Sequence, residues 1–214
     1  MVTLFGVVSI AVLIVLGIGR ARFLRDSRKG RAGSGGVVAG LVDALTLRHL
    51  DVNGVDCTHA EEARTPWRRW FHHFTFYGFG LCFASTTVAA LYHIVFGWRA
   101  PYPLTSLPVV LGTAGGLGLL IGPAGLLASR RLRDKAREAP GQTALDTSFI
   151  TLLLLTSLTG LLLLALRDGP AMGALLVVHL GIVLALFLTL PYGKFVHGIY
   201  RTAALVQYAR ERST

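Results

Sequence analysis

Five long stretches of this 214-residue chain contain no Asp, Glu, Lys or Arg. They lie between Met1 and Arg20, Arg69 and Arg99, Arg99 and Arg130, Asp146 and Arg167, and Asp168 and Lys194. Each is near or above the roughly 20 residues that a helix needs to cross about 30 Å of hydrocarbon. We therefore predict an all-α integral membrane protein, built as a bundle of five transmembrane helices.

The predicted spans cover about residues 2 to 19, 71 to 97, 105 to 129, 147 to 166 and 171 to 190, and the last continues as an amphipathic helix to about 208. In domain terms, residues 1–19 form an N-terminal anchor, 20–70 a basic cytoplasmic linker and loop, 71–208 a four-helix membrane domain and 209–214 a cytoplasmic tail. The first span could also be a signal peptide, but no basic region precedes it and arginines follow it directly. We interpret it as a retained anchor.

Charge sets the predicted orientation. The formal net charge is +10, yet only 15% of the residues are charged, against about 25% in an ordinary soluble domain. This composition excludes a soluble nucleic-acid binder. Nineteen Lys and Arg residues fall on one side of the predicted spans, and Arg99 and Arg167 on the other. The bias predicts an outer N-terminus, a cytoplasmic C-terminus and a multi-pass protein of the cell inner (plasma) membrane. The same basic face could dock an acidic partner.

Glycines are concentrated in the third predicted span. The segment Gly112–Gly125, GTAGGLGLLIGPAG, has no charged residue. Small residues in a membrane helix allow a neighbouring helix to approach closely, and Pro123 is expected to kink the helix. By contrast, the Ser-, Lys- and Gly-rich residues 27–36 have the composition of a flexible linker.

Five of the seven histidines lie in or at the ends of the predicted spans: His72, His73, His93, His179 and His197. Ionisable residues at membrane depth are costly and are by default candidates for function. If the last helix is continuous, His179 and His197 share one face, about 27 Å apart along its axis. In the second span, His72 and His93 lie within about 60° of one face and about 31 Å apart, whereas His73 points about 160° away from His93.

These spacings predict two pairs at two depths. The second span runs outward and the fifth inward, so His93 meets His179 near the outer face and His72 meets His197 near the inner face. Two imidazoles that face each other across a bundle suit six-coordinate haem iron. We therefore predict two haem b groups, ligated by His72, His93, His179 and His197, with His73 as the alternative inner ligand. The sequence leaves open whether the protein binds one haem or two.

The same histidines also allow a haem-free interpretation. A membrane histidine can form an interhelical hydrogen bond, and His72 and His73 follow the interfacial Trp67–Trp70 segment. His49 and His59 lie in the predicted cytoplasmic loop and are interpreted as solvated or facing a partner. The alternative function is a haem-free membrane anchor or assembly subunit of a respiratory complex. A transporter is disfavoured, because the spans show no repeat and no buried carboxylate.

Long strings of residues resemble a known family. RRWFHHFTFYGFGLCFASTTVAALYH (Arg68 to His93), APYPLTSLPVVLGTAGGLGLLIGPAGLL (Ala100 to Leu127) and LTLPYGKFVHGIYR (Leu188 to Arg201) resemble the membrane half of the tricarballylate and citrate utilization protein B family. More distantly, HLGIVLALFLTLPYGKFVH (His179 to His197) is similar to the last helix of the respiratory nitrate reductase gamma subunit, a dihaem cytochrome b. That second resemblance implies that His179 and His197 ligate different haems.

The resemblance implies an electron-transfer subunit of an oxidoreductase complex, with no catalytic residue of its own. Its partners would be a cytoplasmic, FAD-dependent dehydrogenase with iron–sulfur clusters, the quinone pool and the lipid bilayer, with no nucleic acid. In the family, an N-terminal region with cysteine motifs for clusters precedes the membrane part, and this sequence contains no such motif. Either a separate polypeptide supplies the clusters, or the chain is a shortened version with another donor.

A quinone pocket is expected near a haem edge. Trp98, Arg99 and Tyr102 follow the second predicted span at its outer end and offer polar contacts. Trp and Tyr also form interfacial belts that bind no ligand. Both interpretations stay open from the sequence.

Overall fold

The computed structural model describes residues 2–27, 37–46, 67–131, 140–192 and 194–211. These residues contain seven α-helices and no strand. In chain order the helices are α1 (Val2–Ser27), α2 (Val37–Leu45), α3 (Trp67–Phe96), α4 (Leu107–Arg131), α5 (Pro140–Ala165), α6 (Met172–Thr189) and α7 (Lys194–Glu211), with a 3₁₀ turn at Leu190–Tyr192. The all-helical prediction is confirmed for the described residues.

Four described helices, α3 to α6, are long and apolar enough to cross a membrane. They correspond to the second to fifth predicted spans, with ends that differ by a few residues. The first predicted span lies within α1, and its crossing of the membrane stays a prediction. Large apolar side chains on α1 and α6 are exposed, as expected for helix faces that contact lipid: Val7, Leu13, Val177 and Val178.

The chain divides into two compact units. One contains residues 1–55, 140–149 and 184–214, and the other contains residues 56–139 and 150–183. We call them the terminal unit and the central unit. Helices α5 and α6 run through both, so each helix contributes residues to each unit.

In the central unit, α3 packs closely against α4 at positions occupied by glycine. A Cβ atom added to Gly78 of α3 would lie 2.8 Å from the backbone nitrogen of Leu119 and 2.9 Å from the carbonyl oxygen of Gly115. On α4, a Cβ atom on Gly118 would meet the carbonyl oxygen of Phe74 at 3.0 Å. The prediction that these glycines allow close helix approach is confirmed. Pro123 is fully buried within α4, and the helix continues past it to Arg131.

Helix α5 packs against a different face of α4. The Ser157 hydroxyl of α5 donates to the carbonyl of Gly116 at 2.5 Å, and Ser157 is buried. A Cβ atom on Gly116 would come within 2.9 Å of the Leu161 side chain. Glycine at position 116 therefore allows both the hydrogen bond and the apolar contact between the two helices.

In the terminal unit, α2 packs against α7. A Cβ atom on Gly40 would lie 2.5 Å from the Cα atom of Val206, so the two backbones are in direct contact. Helix α2 lies within the segment 20–70 that we predicted as linker and loop, and α1 extends beyond its predicted end to Ser27. That segment therefore contains regular structure, whereas residues 28–36 of the predicted linker lie outside the described residues.

The structure corrects one prediction about the last helix. We predicted a continuous helix from the fifth span to about residue 208, but α6 ends at Thr189 and α7 begins at Lys194. Pro191 lacks a backbone N–H and clashes with the preceding turn, so the α-helical hydrogen bonds stop there. Because His179 and His197 lie on separate helices, the 18-residue spacing sets neither their shared face nor their separation.

The α3–α4 contact leads to a stability prediction. Gly78→Ala should lower the free energy of unfolding by about 1–3 kcal/mol, because its Cβ atom meets backbone atoms that no side-chain rotation can move. Gly80→Ala is the matched control on the same helix, since its Cβ atom would meet nothing within 4 Å. The control should be neutral or stabilising by up to about 1 kcal/mol, because alanine favours helix. Unfolding in detergent measures both, and equal stability of the two variants would contradict the packing.

Candidate functional site

His179 lies in the central unit on α6 and faces α5. Its Nδ1 atom lies 2.8 Å from the Thr159 hydroxyl oxygen. The ring is half-buried, and Thr159 is buried with 8% of its surface exposed. Thr159 follows Ser157 on α5 by two residues, and Ser157 holds α5 to α4. The position of the ring is therefore tied to the packing of three helices.

Thr159 Oγ1 lies within hydrogen-bond distance of the carbonyl oxygen of Leu155, at 2.7 Å, and of Nδ1 of His179, at 2.8 Å. The hydroxyl has a single hydrogen, so the direction of each bond depends on the His179 tautomer. With the imidazole proton on Nδ1, the hydroxyl donates to Leu155, the ring donates to Thr159 and Nε2 keeps a free lone pair. This is the tautomer that a histidine needs to ligate a metal through Nε2, with Nδ1 held by a hydrogen bond.

Gly160 provides the space for the His179 ring. A Cβ atom at position 160 would lie 3.2 Å from Cε1 of the imidazole. Any larger residue there would press on the ring edge between its two nitrogens. Thr159 and Gly160 together position the ring, one by a hydrogen bond and the other by leaving room.

The predicted outer partner, His93, lies in the last turn of α3 and is exposed. Its neighbours Ile94 and Val95 are exposed apolar residues at the same end of the helix. Among the described residues, the hydrogen bond of His179 goes to Thr159, and no described contact joins His93 to His179. The pairing of the two histidines stays a prediction.

His72 and His73 lie near the start of α3, and both side chains are half-buried. The Arg69 Nε–H donates to Nε2 of His73 at 3.4 Å. The His73 ring also stacks on Tyr77, with centroids 5.8 Å apart and planes 6° apart. His73 thus contacts residues of its own helix, and the choice of inner ligand between the two histidines stays a prediction.

The other histidines contribute less to the site. His197 lies in α7, within the terminal unit, and its side chain is outside the described part of the structure. His49 and His59 lie outside the described residues altogether. Their predicted roles stay predictions.

Aromatic contacts close the loop between α3 and α4, which was predicted to lie on the outer side. The Tyr102 hydroxyl lies 3.3 Å from the carbonyl oxygens of both Ala89 and Trp98. The Tyr92 ring packs edge-on against Trp98, with centroids 4.9 Å apart, and against Tyr102, 5.7 Å apart. The Arg167 guanidinium donates to the Tyr102 carbonyl at 3.1 Å. These contacts engage the Tyr102 hydroxyl and the Trp98 ring within the loop, and the quinone and interfacial-belt interpretations both stay predictions.

Thr159 and Gly160 were not among the predicted site residues. They lie in a charge-free stretch of α5, and Thr159 precedes its histidine partner by 20 residues. Within the described residues, no three His, Cys, Asp or Glu side chains gather as a metal cluster. A bis-histidine iron needs only two protein ligands, so it requires no such cluster.

Comparison with known proteins identifies one family. The family model described as citrate utilization protein B matches residues 2–214. A citrate utilization protein B from Escherichia coli is 50% identical over 210 residues, which make up 98% of this chain and 55% of that relative. The chain therefore spans about half the length of the curated relative that it matches. No solved structure matches the chain.

Proposed function

The chain belongs to the citrate utilization protein B family, and on this premise we propose that it is a membrane cytochrome b subunit with two bis-histidine haems. It relays electrons between a cytoplasmic redox partner, which carries flavin and iron–sulfur clusters, and the quinone pool. The partner is a dehydrogenase of the tricarballylate or citrate type. The protein lies in the cell inner membrane, with its N-terminus outside and its C-terminus in the cytoplasm.

The observation that carries the proposal is the contact between His179 and Thr159. The ring is half-buried, and its Nδ1 lies 2.8 Å from the Thr159 hydroxyl oxygen. When the Thr159 hydrogen goes to the Leu155 carbonyl, Nδ1 donates to Thr159 and Nε2 is the free donor atom that a haem iron would take.

Four histidines would hold the iron atoms. His179 and His93 are proposed for the outer position, and His72 and His197 for the inner one. Haem b would supply a reversible one-electron couple at each histidine pair. Thr159 orients His179 through its hydrogen bond to Nδ1, and the apolar helices exclude water from the site. The basic residues of the cytoplasmic face, Arg68 and Arg69 among them, attract an acidic partner protein.

A reduced-minus-oxidised absorption spectrum of the purified chain tests the cofactor. We expect b-type haem bands, and their absence would favour the haem-free anchor instead. His93→Ala, His179→Ala and His197→Ala should each remove about half of the haem, because each removes one of two ligands at one iron. His49→Ala and His59→Ala are the controls and should keep both haems. Full haem content in His93→Ala would refute the outer pair.

The inner ligand can be identified with the neighbouring histidines. His72→Ala should lose about half of the haem, whereas His73→Ala should keep it, because Nε2 of His73 accepts a hydrogen bond from Arg69. The two variants are matched, because each removes one of two adjacent histidines. If His73→Ala loses half of the haem and His72→Ala keeps it, His73 is the ligand.

Thr159→Val tests the orientation of His179. Valine keeps the shape of the side chain but offers no acceptor to Nδ1, so haem affinity at the outer site should fall by about 10- to 100-fold. Thr159→Ser should restore most of it, because the hydroxyl is retained. Haem titration of the apoprotein, with the midpoint potential of each haem, measures the effect. Unchanged affinity and potential in Thr159→Val would show that the hydrogen bond does not tune the ligand.

The proposed orientation has its own test. A fluorescent protein fused after Thr214 should fold and fluoresce, because the C-terminus is cytoplasmic, and alkaline phosphatase fused there should be inactive. The opposite pair of results would reverse the orientation.

A further inference from the structure

A cleft in the terminal unit has no role in the proposed electron transfer. It has a volume of about 320 Å³ and lies between α1 and the chain from Pro191 to Tyr200. Its walls are mostly apolar and include Val15, Ile18, Val196 and Ile199. The polar side chains that line it are those of Arg22 and Tyr200. A ligand of this cleft would therefore contact an apolar wall and two hydrogen-bond donors.

Local packing holds the tyrosine at the cleft. The Tyr200 ring meets Phe23 edge-on, with centroids 5.3 Å apart. A Cβ atom on Gly19 would lie 2.7 Å from the Tyr200 hydroxyl oxygen, so glycine leaves the room that this hydroxyl occupies. Among the described residues, neither the hydroxyl nor the Arg22 guanidinium has a hydrogen bond or ion pair with the protein. Both groups are available to a ligand.

The charge pattern of α1 indicates the depth of the cleft. The helix has no charged residue up to Gly19, and Arg20, Arg22 and Arg25 follow within six positions. Such a change from apolar to cationic residues marks the level at which a membrane helix leaves the hydrocarbon for the headgroups. On the predicted crossing by α1, Arg22 lies at headgroup depth, and the apolar wall formed by Val15 and Ile18 extends toward the hydrocarbon.

The chemistry of the lining selects an anionic, oxygen-rich headgroup. Arginine has five N–H donors, no acceptor and a permanent positive charge that suits phosphate oxygens. Among the residues that the structure describes, the lining contains no carboxylate that would repel an anion. We infer that the cleft binds one anionic phospholipid, with its phosphate at Arg22 and Tyr200 and an acyl chain along the apolar wall.

Native mass spectrometry of the full-length protein tests the site. The probe is phosphatidylglycerol, offered in mixed nanodiscs with phosphatidylcholine. The wild-type protein should retain one phosphatidylglycerol. Arg22→Gln should bind it about tenfold more weakly, because one charge-assisted hydrogen bond is lost. Arg25→Gln is the matched control, since it removes the same charge from the same exposed helix but lies outside the cleft. The control should bind as the wild type does.

Tyr200→Phe provides a second, milder variant. It removes only the hydroxyl and keeps the ring contact with Phe23, so the fold is retained and affinity should fall about threefold. Equal losses of phosphatidylglycerol affinity in Arg22→Gln and Arg25→Gln would contradict the site in the cleft, because general surface charge would then explain the binding. Retention of quinone or phosphatidylcholine in place of phosphatidylglycerol, or full competition by inorganic phosphate alone, would overturn the proposal. The haem spectrum of the same samples reports separately on the proposed function.

Discussion

Four of the described helices are long and apolar enough to cross a bilayer, whose interior holds no water. In such an interior, backbone groups bond within their own helix, and a hydroxyl without an acceptor costs free energy. Serines and threonines of these helices donate to carbonyls, whereas the buried Thr156 hydroxyl of α5 has no hydrogen-bond partner among the described residues. Thr75 and Thr113 return to the preceding turn of their own helices, whereas Ser85 and Ser157 reach the carbonyls of Pro108 and Gly116 on α4. The two serines thereby join α3 and α5 to α4.

The same requirement bears on His179. Thr159 Oγ1 lies within hydrogen-bond distance of the Leu155 carbonyl in its own helix and of Nδ1 on the next helix, and its single hydrogen can go to only one of them. With the hydrogen at Leu155, the ring donates from Nδ1 and Nε2 keeps its lone pair. The proposed haem ligand depends on this relation more than on its spacing from other histidines.

The membrane architecture could be predicted because charge and hydropathy act locally. Four predicted spans correspond to α3 to α6, and the glycine-rich segment of α4 makes the close contacts expected of it. Two predictions were wrong: the continuous last helix, and a segment 20–70 without helix α2. Pro191 and Gly193 could have indicated the break between α6 and α7, but the long apolar run before them favoured one continuous helix. Helix α2 is too short for a spanning pattern and is stabilised by its contact with α7 at Gly40.

By itself the sequence determined the family, the charge-free spans and the faces on which small residues lie, because each depends on residue type and on periodicity along one helix. Tertiary structure decided the contacts between helices. The hydrogen-bond partner of Nδ1 of His179 comes from α5, and the two donors of the cleft come from α1 and α7. No pattern along a single helix specifies which side chain of another helix will lie 3 Å away, since that distance is set by how closely the backbones pack.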